Sequence, residues 1–78
     1  MVEPLSGLRE SETAEVVWII SESDIKEILS QNGFLYGEVI TCLLKNPARQ
    51  LYVYRIRRRV IAIREKYTKE ILVRRISS

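Results

Sequence analysis

With 78 residues, 46% of them hydrophobic and 29% charged, the chain has the composition of one small globular domain and not of a disordered segment. One cysteine and no histidine exclude an internal disulfide and a Cys/His zinc site, so the expectation is an intracellular, cytoplasmic protein with no cofactor and no metal. The net charge of +3 conceals a division: ten Lys or Arg face two Glu from Pro47 to Ser78, whereas three face eight acids from Met1 to Asn46.

In chain order, Met1 to Thr13 mixes Pro4, Ser6, Gly7 and several acids without an apolar period, which predicts a flexible leader (1–13) adding little to the core of a single small α+β domain (14–78). It lacks the basic-then-apolar order of a signal peptide, and the longest apolar runs are far shorter than the roughly 20 residues that span a bilayer. No membrane partner is therefore expected. Ala14 to Ile20 is rich in β-branched residues and predicts a strand buried on both faces. Ser21 or Ser23 offers an N-cap, Ile25, Ile28 and Leu29 form one apolar stripe, and Asn32-Gly33 supplies a left-handed stop. Together they predict a helix from Ser23 to Gln31.

Phe34 to Asn46 carries two periods at once. Leu35, Val39, Cys42 and Leu43 recur at helical spacing, while Val39-Ile40-Thr41-Cys42 favours a strand. A short helix from Tyr36 to Asn46 is the expectation. From Gln50 onward β-branched residues dominate and predict two or three antiparallel strands, with a turn at Lys66-Tyr67-Thr68-Lys69 and a bend near Arg57 to Arg59. A rival period of three and four through Val53, Ile56, Val60, Ile63 and Tyr67 would instead give one basic helix. The predicted fold class is thus α+β: one N-terminal strand, one or two helices, then a C-terminal antiparallel basic β-hairpin or meander, with a winged-helix-like variant.

The basic segment is where chemistry is expected. Arg55, Arg57 and Arg59 would share one face of an extended chain, with Arg58 and Arg64 on the other, and Lys66, Arg74 and Arg75 nearby. Guanidinium groups pair bidentately with phosphate and stack on bases, so this cluster, with Tyr52 and Tyr54 as stacking faces, predicts a nucleic-acid (DNA or RNA) surface and a function as a DNA-binding regulator. The competing reading of the same cations is a solvated edge that discourages aggregation. Tyr52, Tyr54 and Tyr67 also read as half-buried packing residues, the commoner role of strand tyrosines, while Trp18 and Phe34 read as core and Cys42 as an inert buried thiol. No catalytic residue stands out.

Two other classes stay open. The order of strand, Ser-Glu-Ser-Asp-Ile-Lys-Glu-Ile-Leu helix, Asn-Gly turn and meander ending Glu70-Ile71-Leu72-Val73-Arg74-Arg75-Ile76 resembles the small ribonuclease toxins of the RelE type over Glu22 to Ile76. That resemblance implies RNA cleavage by sheet side chains, with Tyr52, Arg55 and Arg57 the positions to inspect. The third class is a structural or interaction protein that gains stability as a homodimer.

Overall fold

Alternating apolar residues dominate the architecture. The computed structural model describes residues 1–76 and consists of one six-stranded antiparallel sheet with two helices. The strands are β1 (Val2–Pro4), β2 (Thr13–Ile19), β3 (Val39–Asn46), β4 (Leu51–Ile56), β5 (Arg59–Arg64) and β6 (Ile71–Arg75). Their order across the sheet is β1-β6-β2-β3-β4-β5. Helix α1 spans Ser23–Gln31 between β2 and β3, and the single-turn helix α2 spans Glu65–Thr68 between β5 and β6. Among the described residues no helix is long and apolar enough to cross a membrane.

The α+β class, the α1 boundaries and the C-terminal meander agree with the sequence reading. Helix α1 starts differently in detail. Its N-cap is Glu22, without a side-chain cap bond, and the expected cap Ser21 instead donates from Oγ to Glu70 Oε2 at 2.9 Å. The stop is as expected: the Asn32 and Phe34 amides close back on Ile28 and Leu29 carbonyls, and Gly33 takes a φ of +100° that an L side chain rarely adopts.

Three expectations are corrected. First, Tyr36 to Asn46 forms no helix. Gly37 turns the chain at a φ of +84°, its amide donates to Val16 O, and Val39 to Asn46 becomes the central strand β3. With Ile40 and Cys42 buried and Thr41 facing Thr13 and Arg55, the period of two prevails over the helical spacing. This removes the winged-helix arrangement, which needs that second helix.

Second, the leader segment is not marginal to the core. It supplies β1, a 3-10 turn at Leu5–Gly7, and two fully buried leucines, Leu5 and Leu8. The turn packs against α2 and β6. Third, β2 is buried on one face only: Ala14, Val16 and Ile19 point inward, whereas a bulge between Val16 and Trp18 leaves Trp18 outside and 53% exposed. Residues 51–76 form strands β4, β5 and β6 with the short α2 between the last two, as expected, and not the rival single helix; β4 and β5 join through Arg57-Arg58.

The core joins Phe34 and Leu29 from the α1 side to Tyr54, Ile56, Ile40, Ile71 and Val73 from the sheet. Tyr54 contributes its whole ring, but its hydroxyl has no hydrogen-bond partner among the described residues. Burial, with Cys42 and Tyr52 close by, pushes the Tyr54 phenol far up. A phenol that must stay protonated when folded stabilises the fold below its unfolded value of about 10, and that contribution is lost as pH rises past it. Tyr54→Phe is therefore expected to leave stability at pH 7 unchanged or to raise it by about 1–3 kcal/mol, because an unsatisfied buried group is removed. Its advantage over the parent should widen above pH 10, read from urea midpoints at the two pH values.

Candidate interaction surfaces

The pairing of β3, β4 and β5 fixes which side chains leave the core. Tyr52, Tyr54 and Ile56 alternate inward along β4, so Leu51, Val53 and Arg55 alternate outward. Cross-strand partners extend that outward set: Thr41 with Arg55 and Val60, Leu44 with Val53 and Ala62, and Asn46 with Leu51 and Arg64. The result is a three-strand outer face whose centre is apolar. Leu44 is 50% exposed and Val60 66%, with Val53 between them and the bulge residue Leu43 at its border.

Arg55 and Arg64 sit on this face, and neither has a carboxylate within 4 Å among the described residues. The remaining cations are dispersed. Arg57 and Arg58 form the β4–β5 turn, which interrupts the alternation that would have placed Arg55, Arg57 and Arg59 on one face. Arg57, at φ +56°, turns back to Glu38, donating from Nε and Nη2 with a shortest distance of 2.8 Å. That bond holds the Arg57 guanidinium above its ordinary pKa. Arg59 reaches the Gln31 carbonyl at the end of α1, at 3.4 Å.

On β6, separated from β4 by β2 and β3, Arg75 pairs with Glu3 at 3.1 Å and Glu12 at 3.3 Å and also donates to Gly7 O. Arg74 lies 3.9 Å from Glu15. Lys66 lies over the Tyr67 ring at 5.1 Å. The acidic N-terminal part thus cancels part of the C-terminal charge inside the molecule, and Arg75 does not join Arg55 across strands.

The two tyrosines proposed as stacking faces belong to the interior. Tyr54 is fully buried and Tyr52 nearly so, and the Tyr52 hydroxyl donates to Glu65 Oε2. That bond, aided by burial, raises the Tyr52 pKa. Neither ring is open to a base. Cys42 is buried as expected, and burial raises its thiol pKa despite the opposing Lys45 ammonium.

One surface feature escaped the sequence reading. Trp18 stacks on Tyr36 with centroids 5.6 Å apart and planes inclined by 12°, while Lys26 Nζ lies 5.9 Å and 5.4 Å from the two rings. Three separate elements meet there, so only the excess of β-branched neighbours around Trp18 hinted at a sheet position. Among the described residues no three His, Cys, Asp or Glu side chains converge in a way that could hold a metal ion.

Several solved structures share this arrangement. One, an iron uptake regulatory protein (FeoA), superposes with a TM-score of 0.90 at 24% identity, covering 97% of this chain and all of the other. A FeoA-like protein from Clostridium acetobutylicum gives 0.87 at 22% identity, over 99% of this chain and 90% of that one. The iron(II) transport protein A of Clostridium thermocellum gives 0.87 at 26% identity, over 94% of this chain and 45% of that one. A manganese-dependent transcriptional repressor has the same fold in 42% of its length, at 14% identity and a TM-score of 0.86. Curated protein sequences give no match. The FeoA domain model matches residues 3–75, nearly the full length from β1 to β6, and the chain therefore belongs to the FeoA domain family.

Proposed function

We propose that this FeoA domain serves iron transport by docking on a protein partner, with the apolar outer face of β3, β4 and β5 as its contact surface. The observation that carries this reading is the continuity of the solvent-exposed Leu44, Leu51 and Val60 with the partly buried Val53 on three adjacent strands, all outside the core. Apolar side chains on one side of a paired sheet gain nothing from water, and covering a Val or Leu contributes about 1.5–3 kcal/mol. The related iron uptake regulatory and iron(II) transport proteins give the setting. The order of elements that resembles RelE-type toxins is the order of this FeoA domain.

The test uses cells whose ferrous iron uptake depends on this chain. Leu44→Asp with Val60→Asp places two charges on the face without touching the core. Uptake of radiolabelled iron should fall to the level of cells lacking the chain, while circular dichroism and thermal midpoint of the purified variant stay those of the parent. Parental uptake would overturn the reading.

A second reading, phosphate contact with nucleic acid, is supported by the uncompensated Arg55, Arg58 and Arg64. It requires affinity for oligonucleotides that falls steeply with salt, and less steeply after Arg55→Ala with Arg64→Ala. A flat salt dependence removes it.

A further inference from the structure

The geometry points to a strand-docking site: we infer that the open edge of β5 accepts an extended acidic segment of the partner as an additional antiparallel or parallel strand. This rests on the docking reading and narrows it to a class of ligand. Strand β5 is the last in the sheet and pairs only with β4. Because the two strands are joined by the two residues Arg57 and Arg58, Ile56 and Arg59 form a mutually bonded pair. Tyr54 with Ile61 and Tyr52 with Ile63 continue that series. The Glu65 amide bonded to Gln50 O at 2.9 Å continues the same register.

The backbone groups of Val60, Ala62 and Arg64 consequently point away from β4. Among the described residues they have no backbone partner outside the ladder. Such a row of free donors and acceptors is a template for another strand.

Beside this edge runs a groove of about 200 Å³ between β5 and α1, walled by Ile28, Leu29 and Phe34 on one side and Ile61 and Ile63 on the other, with Tyr67 at its end. Ile28, half exposed, is the residue of the α1 stripe that the protein's own core leaves uncovered. An added strand would set every second side chain into this groove and the others beside Val60 and Ala62 on the outer face. Specificity for alternating apolar residues follows from the pleat.

Charge selects the occupant. Arg59 and Arg64 stand at the two ends of β5, with Arg58 in the adjoining turn and Lys66 just beyond. A second copy pairing through β5 about a two-fold axis would set this cationic edge along the same cationic edge of its partner, and like charges brought together across a ladder destabilise it. A foreign segment with carboxylates flanking its apolar core meets the same four cations favourably.

The probe is the blocked peptide Glu-Glu-Val-Thr-Val-Thr-Val-Glu-Glu, titrated into the labelled full chain. Backbone resonances of Val60, Ile61 and Ala62 should shift, and amide exchange of Val60 and Ala62 should slow. Replacing the four glutamates with lysines, or the central valine with proline, should weaken binding about tenfold or more, since the first removes the charge match and the second a ladder donor. Arg59→Glu with Arg64→Glu should reverse the preference between acidic and basic peptides.

Ala62→Pro removes an outward donor only, and should abolish binding while leaving the fold intact. If that variant unfolds, the charge reversal alone decides. Equal binding of acidic and basic peptides, shifts centred on Trp18 or Leu44, or no shift at all would overturn the inference. A peptide that leaves β5 unperturbed, alongside lost uptake in the Leu44→Asp, Val60→Asp variant, defeats the strand site and leaves the docking reading standing. Binding at β5 with parental uptake does the reverse.

Discussion

A chain carrying Leu5→Ala and Leu8→Ala together should be unfolded at 25 °C. Both leucines are fully buried, and the Leu8 amide donates to Leu5 O at 3.0 Å within one tight turn. Truncating a buried leucine to alanine costs about 2–5 kcal/mol, depending on how far the cavity collapses. Domains of this size have total stabilities near the low end of about 5–15 kcal/mol. Two such losses therefore consume most or all of it, even if the pair is not additive. Each single variant should remain folded with a lowered urea midpoint. Far-UV circular dichroism of the double variant is the measurement, and a cooperative, parent-like urea transition would show that the first eight residues are dispensable to the core.

Phe34→Ala should cost about 3–5 kcal/mol, the largest effect expected of any single substitution here. Phe34 is fully buried immediately after the Gly33 turn, and its amide closes helix α1 by donating to Leu29 O. It also walls grooves on both flanks of α1, one toward β5 and one toward Tyr36, so a cavity there would open toward solvent on two sides. Phe34→Leu, which keeps most of the volume, should recover more than half of the loss. Urea denaturation with an unchanged slope checks both values; a midpoint within error of the parent for Phe34→Ala would mean that α1 is not anchored to the sheet through this ring.

The candidate surfaces were only partly legible in the sequence. Alternation along Tyr52, Val53, Tyr54 and Arg55 is enough to place the tyrosines inside and Arg55 outside, as observed. The turn at Arg57-Arg58 lacks Gly, Asn or Pro, so the sequence signals no more than a bend there, and its position decides that Arg57 and Arg59 leave the face of Arg55. Charge counting likewise reveals an acidic and a basic part but not that Glu3, Glu12, Glu15 and Glu38 reach Arg75, Arg74 and Arg57 across the sheet. These pairs are long-range in sequence: those of Arg74 and Arg75 are short-range because β6 lies between β1 and β2, and that of Arg57 because β4 pairs with β3.

By itself the sequence determined the small α+β class, helix α1 with its glycine stop, the strand character after Gln50 and the burial of Cys42. Each of these depends on residues close in the chain, whose spacing and backbone preferences act before any tertiary contact forms. Tertiary structure alone decided that Val39 to Asn46 is a central strand, that Leu5 and Leu8 are core, and that Trp18 meets Tyr36 outside it. It also decided which cations remain free. In each case two local periods or two partners were available, and the choice was made by the pairing of strands far apart in sequence, which buries one face of each and leaves the other to solvent.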